Sequence, residues 1–289
     1  MKYYAVIVCI LIFGIESISA QMPRTRAVPD GPVEELFLIG SVAGMSTVTN
    51  LDAKNLNTLI MHNFGVVSGG LEDFYGLDQR AVVRLGIDYG VTDKLSIGLG
   101  RTSVEDNVDL RFKYTVLRQL KSDKIPVEVA VKGDIGVTTE KNFREFEDFT
   151  FTERLNYFAS LMIARQFYKK LTLQVVPMVS HFNTVILETD GQRKPQNTLF
   201  ALGFAGRVKL NVRNSVTFEY LPILGERTLG TKNHFAIGYE VETGGHVFQM
   251  FFMAGRWFTE QHLLARNTDN FFEGNFRLGF SVNRIFSIE

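Results

Sequence analysis

Cysteine is almost absent: the single residue, Cys9, stands inside an apolar stretch near the N-terminus. Without a second thiol the chain has neither a disulfide framework nor a thiolate metal site. Charge of one sign is also missing, since 31 basic residues balance 31 acidic ones. A nucleic-acid partner normally leaves a basic excess, so none is expected. Beyond the N-terminal stretch no run approaches 18 continuous apolar residues, and no transmembrane helix is expected. Proline is scarce, with seven in 289 residues, and three of them (Pro23, Pro29 and Pro32) fall before residue 55.

The first residues read as an export signal. Lys2 gives the positive start, Tyr3 to Ile15 is uncharged and mostly apolar, and Ser17 to Ala20 supplies small residues for cleavage. Thirteen residues are too few for a spanning helix, which needs roughly 20. Cleavage is expected after Ala20, which discards Cys9; a lipid-modified cysteine would instead stand at the cleavage point. The organisation read from the sequence is a signal peptide over 1–20, a lead-in or lumen segment over 21–54, and a membrane domain over 55–289.

What the chain has in quantity is alternation. From Asp109 to Leu117, Leu110, Phe112, Tyr114 and Val116 share one face, and Asp109, Arg111, Lys113 and Thr115 share the other. Side chains of a strand point alternately to opposite sides, so this is a ribbon with one apolar and one charged surface. Similar segments are expected near 55–63, 80–90, 95–103, 109–117, 127–137, 153–167, 171–182, 197–210, 215–223, 234–243, 246–255 and 273–286. Tight connections at 91–94, 168–170, 211–214 and Gly244-Gly245 alternate with longer ones at 64–79, 138–152, 183–196, 224–233 and 256–272. Links 104–108 and 118–126 depart from that rule without changing its phase. The pattern predicts an all-β fold: a transmembrane up-and-down antiparallel β-barrel of about 12 strands with a polar lumen. An exported chain that enters lipid without helices must close its sheet to satisfy every backbone group.

Barrel size decides which face points inward. About eight strands enclose a space that side chains can fill, whereas twelve leave it too wide for an apolar core without a large ligand. The charged face is therefore placed inside. The expected lumen-lining residues are Arg80, Arg84, Asp88, Asp109, Arg111, Lys113, Glu128, Lys132, Asp134, Arg154, Glu219, Glu240 and Arg277, together with Arg207, Lys209, Glu242 and Glu273. Their signs nearly cancel, so no strong ion selectivity is implied. The outward set, including Leu85, Ile87, Leu99, Phe112, Tyr114, Ile237 and Phe280, suits lipid, and some of the 25 phenylalanines fit aromatic girdles.

Catalytic signals are weak. His62, His181, His234, His246 and His262 are scattered, with no H-E-x-x-H and no paired spacing for one metal. Ser68 lacks the G-x-S-x-G context of a nucleophile elbow. The loop Glu140 to Thr152 interleaves Phe143, Phe146, Phe149 and Phe151 with Glu145, Glu147 and Asp148. It reads as a hairpin top packed over the rim, with an external contact surface or weak calcium site as the alternative.

One stretch carries a family likeness: His62-Asn63-Phe64-Gly65, Val67-Ser68-Gly69-Gly70, Phe74-Tyr75-Gly76-Leu77-Asp78, Arg84-Leu85-Gly86, Tyr89-Gly90-Val91-Thr92-Asp93, Gly98-Leu99-Gly100-Arg101 and Lys113-Tyr114. It resembles an uncharacterised outer-membrane β-barrel family typical of Bacteroidota, a domain of unknown function. The family usually has Arg where this chain has Asn63. The resemblance implies a membrane barrel and supplies no reaction. Expected partners are outer-membrane lipid, the barrel assembly machinery and an unidentified periplasmic or external protein; no cofactor or metal is expected. The location read from the export signal and barrel is the outer membrane of a Gram-negative bacterium. The leading functional expectation is a narrow passive channel or structural membrane protein, not an enzyme. A plugged barrel whose external loops bind a ligand or partner comes second, and an embedded hydrolase third.

Overall fold

The computed structural model describes residues 30–141, 150–185 and 196–288. The expected signal peptide, Phe143, Phe146, Phe149 and the acidic residues between them lie outside the described residues. Twelve long strands form one sheet: β1 (Asn55–Val66), β2 (Val82–Gly90), β3 (Leu95–Thr102), β4 (Asn107–Leu117), β5 (Glu128–Thr138), β6 (Leu155–Phe167), β7 (Leu171–Phe182), β8 (Thr198–Lys209), β9 (Asn214–Leu221), β10 (His234–Glu242), β11 (His246–Met253) and β12 (Arg277–Ser287). After Pro222, Ile223–Leu224 continue the line of β9 and pair with Ala201 and Phe200 of β8.

Each strand pairs antiparallel with its sequence neighbours, and β12 pairs with β1 from Asn55↔Ser287 to Val66↔Arg277. The sheet is therefore closed, which leaves no unpaired edge. The β10–β11 hairpin turns on Gly244 (φ 67°) and Gly245 (φ 136°), backbone that only glycine adopts without strain. Tyr168 (φ 50°) and Lys169 (φ 58°) take the left-handed region in the β6–β7 turn. The start of β1, the end of β12 and the tight turns share one end of the barrel, the turn side; the long links share the other, the loop side.

Burial alternates along the strands as the sequence predicts. Leu85, Ile87, Leu99, Leu110, Phe112, Tyr114, Val131, Ile237 and Phe280 are exposed on the outer wall, while Arg84, Asp109, Lys132, Asp134, Arg207, Glu219 and Glu240 are buried inside. The inner face is not uniform: β6 to β9 bury Asn156, Ser160, Gln174, Ser180, Arg207 and Glu219 beside apolar side chains. Charge dominates the inner face of β2 to β5. On β6 to β9 that face carries Phe158, Met162, Val176, Met178, Leu199, Ala201 and Leu221, all buried.

Those apolar side chains have partners because the lumen is filled. Residues 31–54 enter from the turn side, where Val33 N–H donates to the Gln119 carbonyl at 2.7 Å and Pro32 bridges to Leu120. They rise into the barrel and fold back as a hairpin: Ser41 bridges to Ser46, Val42 N–H donates to the Met45 carbonyl at 2.9 Å, and Thr47 N–H to the Gly40 carbonyl at 3.0 Å. Leu36, Phe37, Ile39, Val42, Met45 and Val48 of this hairpin are buried, most of them in one cluster with the inner face of β6 to β9. From the loop side, the link between β11 and β12 drops helix α1 (Glu260–Arg266) inward, burying Leu263 and Leu264 in the same cluster. The two meet at Gly44, where an added Cβ would strike the Leu263 side chain. The core of this barrel is thus inside it, with the hairpin taking the place of a large ligand.

Candidate functional site in the lumen

The hairpin is fastened by carboxylates of the wall and of α1. Gly44 N–H donates to Glu219 Oε1 at 2.8 Å and Met45 N–H to Glu219 Oε2 at 2.9 Å, while Ser46 N–H donates to Glu260 Oε1 at 2.8 Å. Three successive amides facing negative charge form an anion-binding concavity, here filled by the protein's own side chains. Glu219 Oε1 also meets His234 Nε2 at 2.7 Å, and His234 Nδ1 bonds the Ala254 carbonyl. On the returning limb, Gln174 accepts from Val48 N–H at 2.8 Å and donates to the Ser46 carbonyl at 2.8 Å. Lys113 Nζ donates to the carbonyls of Thr49 (2.6 Å), Thr47 (3.2 Å) and Gly40 (3.5 Å). A buried charge unpaired is costly, so these bonds make the hairpin part of the wall's electrostatic closure.

The charged residues of β2 to β5 form two chains. Arg84 grips Asp109 through two bonds of 2.6 and 2.8 Å, and Arg111 bridges Asp109 (2.5 Å) and Asp88 (2.8 Å). Lys132 lies 2.8 Å from both Asp134 and Glu260. Gly98 and Gly100 leave room for the Arg111 and Arg84 guanidinium groups, which a Cβ would displace. Farther round, Arg207 donates to Ser215 at 2.9 Å and to the Glu35 carbonyl at 2.8 Å, with Glu240 at 3.6 Å. Lys209 pairs with Glu35 at 2.7 Å.

Between the hairpin and this charged wall remains a cavity of about 110 Å³. Arg84, Asp88, Arg111, Lys113, Lys132, Asp134 and Glu260 line it, with Asn57, Leu59, Met61, Phe258 and Ile285. Its mouth faces the turn side: Ile285 is 39% exposed although its inward neighbours Ser281 and Asn283 are buried, and Asp88 and Arg111 keep 27% and 12% of their side-chain surface. Deeper in, Arg84 and Asp109 are buried at 4% and 0%. The cavity is blind.

Of the expected lumen residues, the structure brings Arg84, Asp88, Asp109, Arg111, Lys113, Lys132 and Asp134 to this cavity or directly behind it. Glu219, Glu240 and Arg207 are buried at the hairpin instead, and Glu128 is buried near the turn end of β5. Four residues sit elsewhere. Arg80 is exposed ahead of Val82, where β2 begins. Arg154 is at the loop-side rim, donating to the Glu140 carbonyl at 2.7 Å. Arg277 opens β12 and pairs with Asp269 at 3.1 Å, outside the cavity lining. Glu273 is exposed in a short 3₁₀ turn, because the Asn270 side chain caps Phe272 N–H and Gly274 (φ 85°) ends that turn before β12 starts. Glu260 and Gln174 were not singled out by sequence. Glu260 stands in a link read as wholly external.

A second buried cluster lies under the loop side. Thr259 Oγ1 is 2.7 Å from His262 Nδ1, His262 Nε2 is 3.7 Å from Glu105, and Glu105 pairs with Arg266. The His262 ring stacks on Trp257 with centroids 4.7 Å apart, and the Arg266 guanidinium lies 4.6 Å from the Phe182 ring centroid. Burial pushes the His262 imidazole down to about 3, so it stays neutral. A hydroxyl, an imidazole and a carboxylate in line suggest a hydrolytic triad, but Thr259, His262 and Glu105 are all buried. Among the described residues no group of three or more His, Cys, Asp or Glu side chains is arranged to hold a metal.

The fold is similar to that of solved outer-membrane proteins. The NanC porin aligns with a TM-score of 0.52 at 6% identity, over 81% of this chain and 100% of its own. The COG4313 outer membrane channel from Pseudomonas putida F1 aligns at 0.49 and 12% identity, over 82% and 97%. LpxR from Salmonella typhimurium aligns at 0.37 and 12% identity, over 81% and 100%. No curated protein sequence matches the chain. A family model described as a membrane bound beta barrel domain (DUF5777) matches residues 37–286, which takes in the hairpin from Phe37 on and every strand but for the last residue of β12, and the chain belongs to that family.

Proposed function

We propose that this protein is an outer-membrane barrel closed by its own N-terminal segment, passing at most water and small ions at rest and serving a structural or ligand-holding role. The observation that carries this reading is the docking of hairpin 36–49 and α1 against each other on the apolar half of the lumen. In single-chain barrels the short turns face the periplasm, so the hairpin enters from that side. Its anchoring by a continuous apolar cluster, rather than by charge alone, supports a resident plug over a gate that swings freely. The inaccessibility of Thr259, His262 and Glu105 supports a non-catalytic role. The test is planar-bilayer recording of the refolded full chain, with sugar uptake by proteoliposomes measured alongside. Conductance far below that of an open twelve-strand pore, with no sugar entry, is expected; steady large conductance overturns the proposal.

A second reading, engagement of an external partner by the first loop, is favoured by one observation. Leu71 is 78% exposed beside exposed Phe74 and Tyr75, which hold left-handed backbone at φ 49° and 57°. A photo-crosslinker at Phe74 in intact cells tests it, and capture of lipid alone refutes it.

A further inference from the structure

We propose that the blind cavity facing the turn side is a binding site for a small neutral polyol, which goes beyond the closed-barrel reading. The chemistry of its walls selects the class. Four cations surround it, and each is engaged: Arg84 by Asp109 and Thr102, Arg111 by Asp88, Asp109 and the Leu99 carbonyl, Lys132 by Asp134 and Glu260, and Lys113 by three carbonyls. A carboxylate or phosphate ligand would have to compete with these resident acceptors. Three carboxylates, Asp88, Asp134 and Glu260, line the cavity and Asp109 lies directly behind Arg84 and Arg111, so the four cations are matched by four carboxylates within the wall.

What the walls leave unused is acceptor capacity. Asn57 Oδ1 and Asp134 Oδ1 are buried and have no hydrogen-bond partner among the described residues. Asp88 receives Arg111 on Oδ1 alone. Buried acceptors without donors cost free energy, and a ligand rich in hydroxyl donors relieves that cost. Leu59, Met61, Phe258 and Ile285 add carbon surface that suits C–H groups. Unused acceptors for hydroxyl donors, interspersed with carbon surface, describe a polyol. A closed cavity of ~150 Å³ holds benzene, so 110 Å³ with an open mouth suits a roughly three- to five-carbon chain.

The test uses the full chain in detergent and equilibrium dialysis against radiolabelled glycerol, erythritol and arabitol, with ethanolamine and acetate as charged comparators. Two variants probe the site: Asn57→Leu removes an acceptor, and Ile285→Trp closes the mouth. Heat-dependent gel mobility confirms that each is folded. Retention of at least one polyol by the natural chain, at least tenfold weaker in both folded variants and exceeding that of either charged comparator, is expected. Retention that survives either variant, preference for ethanolamine or acetate, or no retention of any polyol overturns the proposal; the last would mean the cavity holds only water. Conductance of the same samples is read separately, so a failure here leaves the closed-barrel reading standing or falling on its own result.

Discussion

Replacing Glu219 with Gln should loosen the plug without opening the barrel wall. The carboxylate meets three groups: Gly44 N–H and His234 Nε2 at Oε1, and Met45 N–H at Oε2. A glutamine amide keeps one acceptor. Its best placement holds Oε1 for Gly44 and His234, which turns the –NH₂ toward Met45 N–H, donor against donor. One hydrogen bond to a charged group is lost, worth about 1.5 to 3 kcal/mol. Since each 1.4 kcal/mol is a factor of ten, the docking equilibrium of the hairpin tip should shift by roughly ten- to a hundredfold. The apolar contacts of Phe37, Val42 and Val48 remain, so the tip should leave and return rather than stay out. Single-channel recording should show brief openings absent from the unmodified chain. Glu226→Gln, far from the hairpin and at an exposed bond to Gln196, serves as control and should show none. Identical traces for the two variants, with both folded, would refute the claim that Glu219 fastens the hairpin.

Arg at Phe112 or Ile237, both exposed on the outer wall, should impair assembly by about 2 to 4 kcal/mol at the lipid midplane, seen as loss of the heat-modifiable band; assembly at full yield would mean the faces are inverted. Gly44→Val should drive its side chain into Leu263 at a cost of about 1 to 3 kcal/mol and lower the temperature at which the folded band disappears. Lys132→Met strands Asp134 and Glu260 without their cation and should cost about 3 to 5 kcal/mol, part of which a second change, Glu260→Gln, should restore. The His262 imidazole is held neutral well below its ordinary range, so the stability it contributes is complete above about pH 6.5 and is lost as pH falls toward 3; thermal midpoints between pH 7.5 and 4 should drop less in His262→Gln than in the unmodified chain.

The wall was legible because lipid and lumen impose opposite demands on successive residues. Asp109 to Leu117 alternates cleanly, and twelve such segments with turn chemistry between them suffice for a closed barrel. The filling was harder to read. The hairpin buries its side chains from a segment with no helical or strand period, so Leu36 to Ile39 shows only as a short apolar run. A signal was nevertheless present in the wall. Leu199 to Ala205 is apolar at nearly every position, and Val175 to Val179 likewise, which marks strands covered on both faces. One cover is lipid; the other had to be protein. Glu260 gave no such warning, since a seven-residue helix inside a long link carries too short a pattern to show that it turns inward.

The bonds that fasten the hairpin join the beginning of the chain to its end. Met45 reaches Glu219 across 174 residues, and Ser46 reaches Glu260 across 214. Neither bond has a partner until most of the polypeptide has been delivered, and contacts of such separation form late and slowly. The seam that shuts the cylinder, β1 against β12, is itself completed only by the last strand. Filling and sealing therefore belong to the same closing stage of biogenesis. A chain truncated before β12 would keep Glu219, Glu260 and α1 but lose the seam with β1, and residues 31–54 would have no closed interior to occupy.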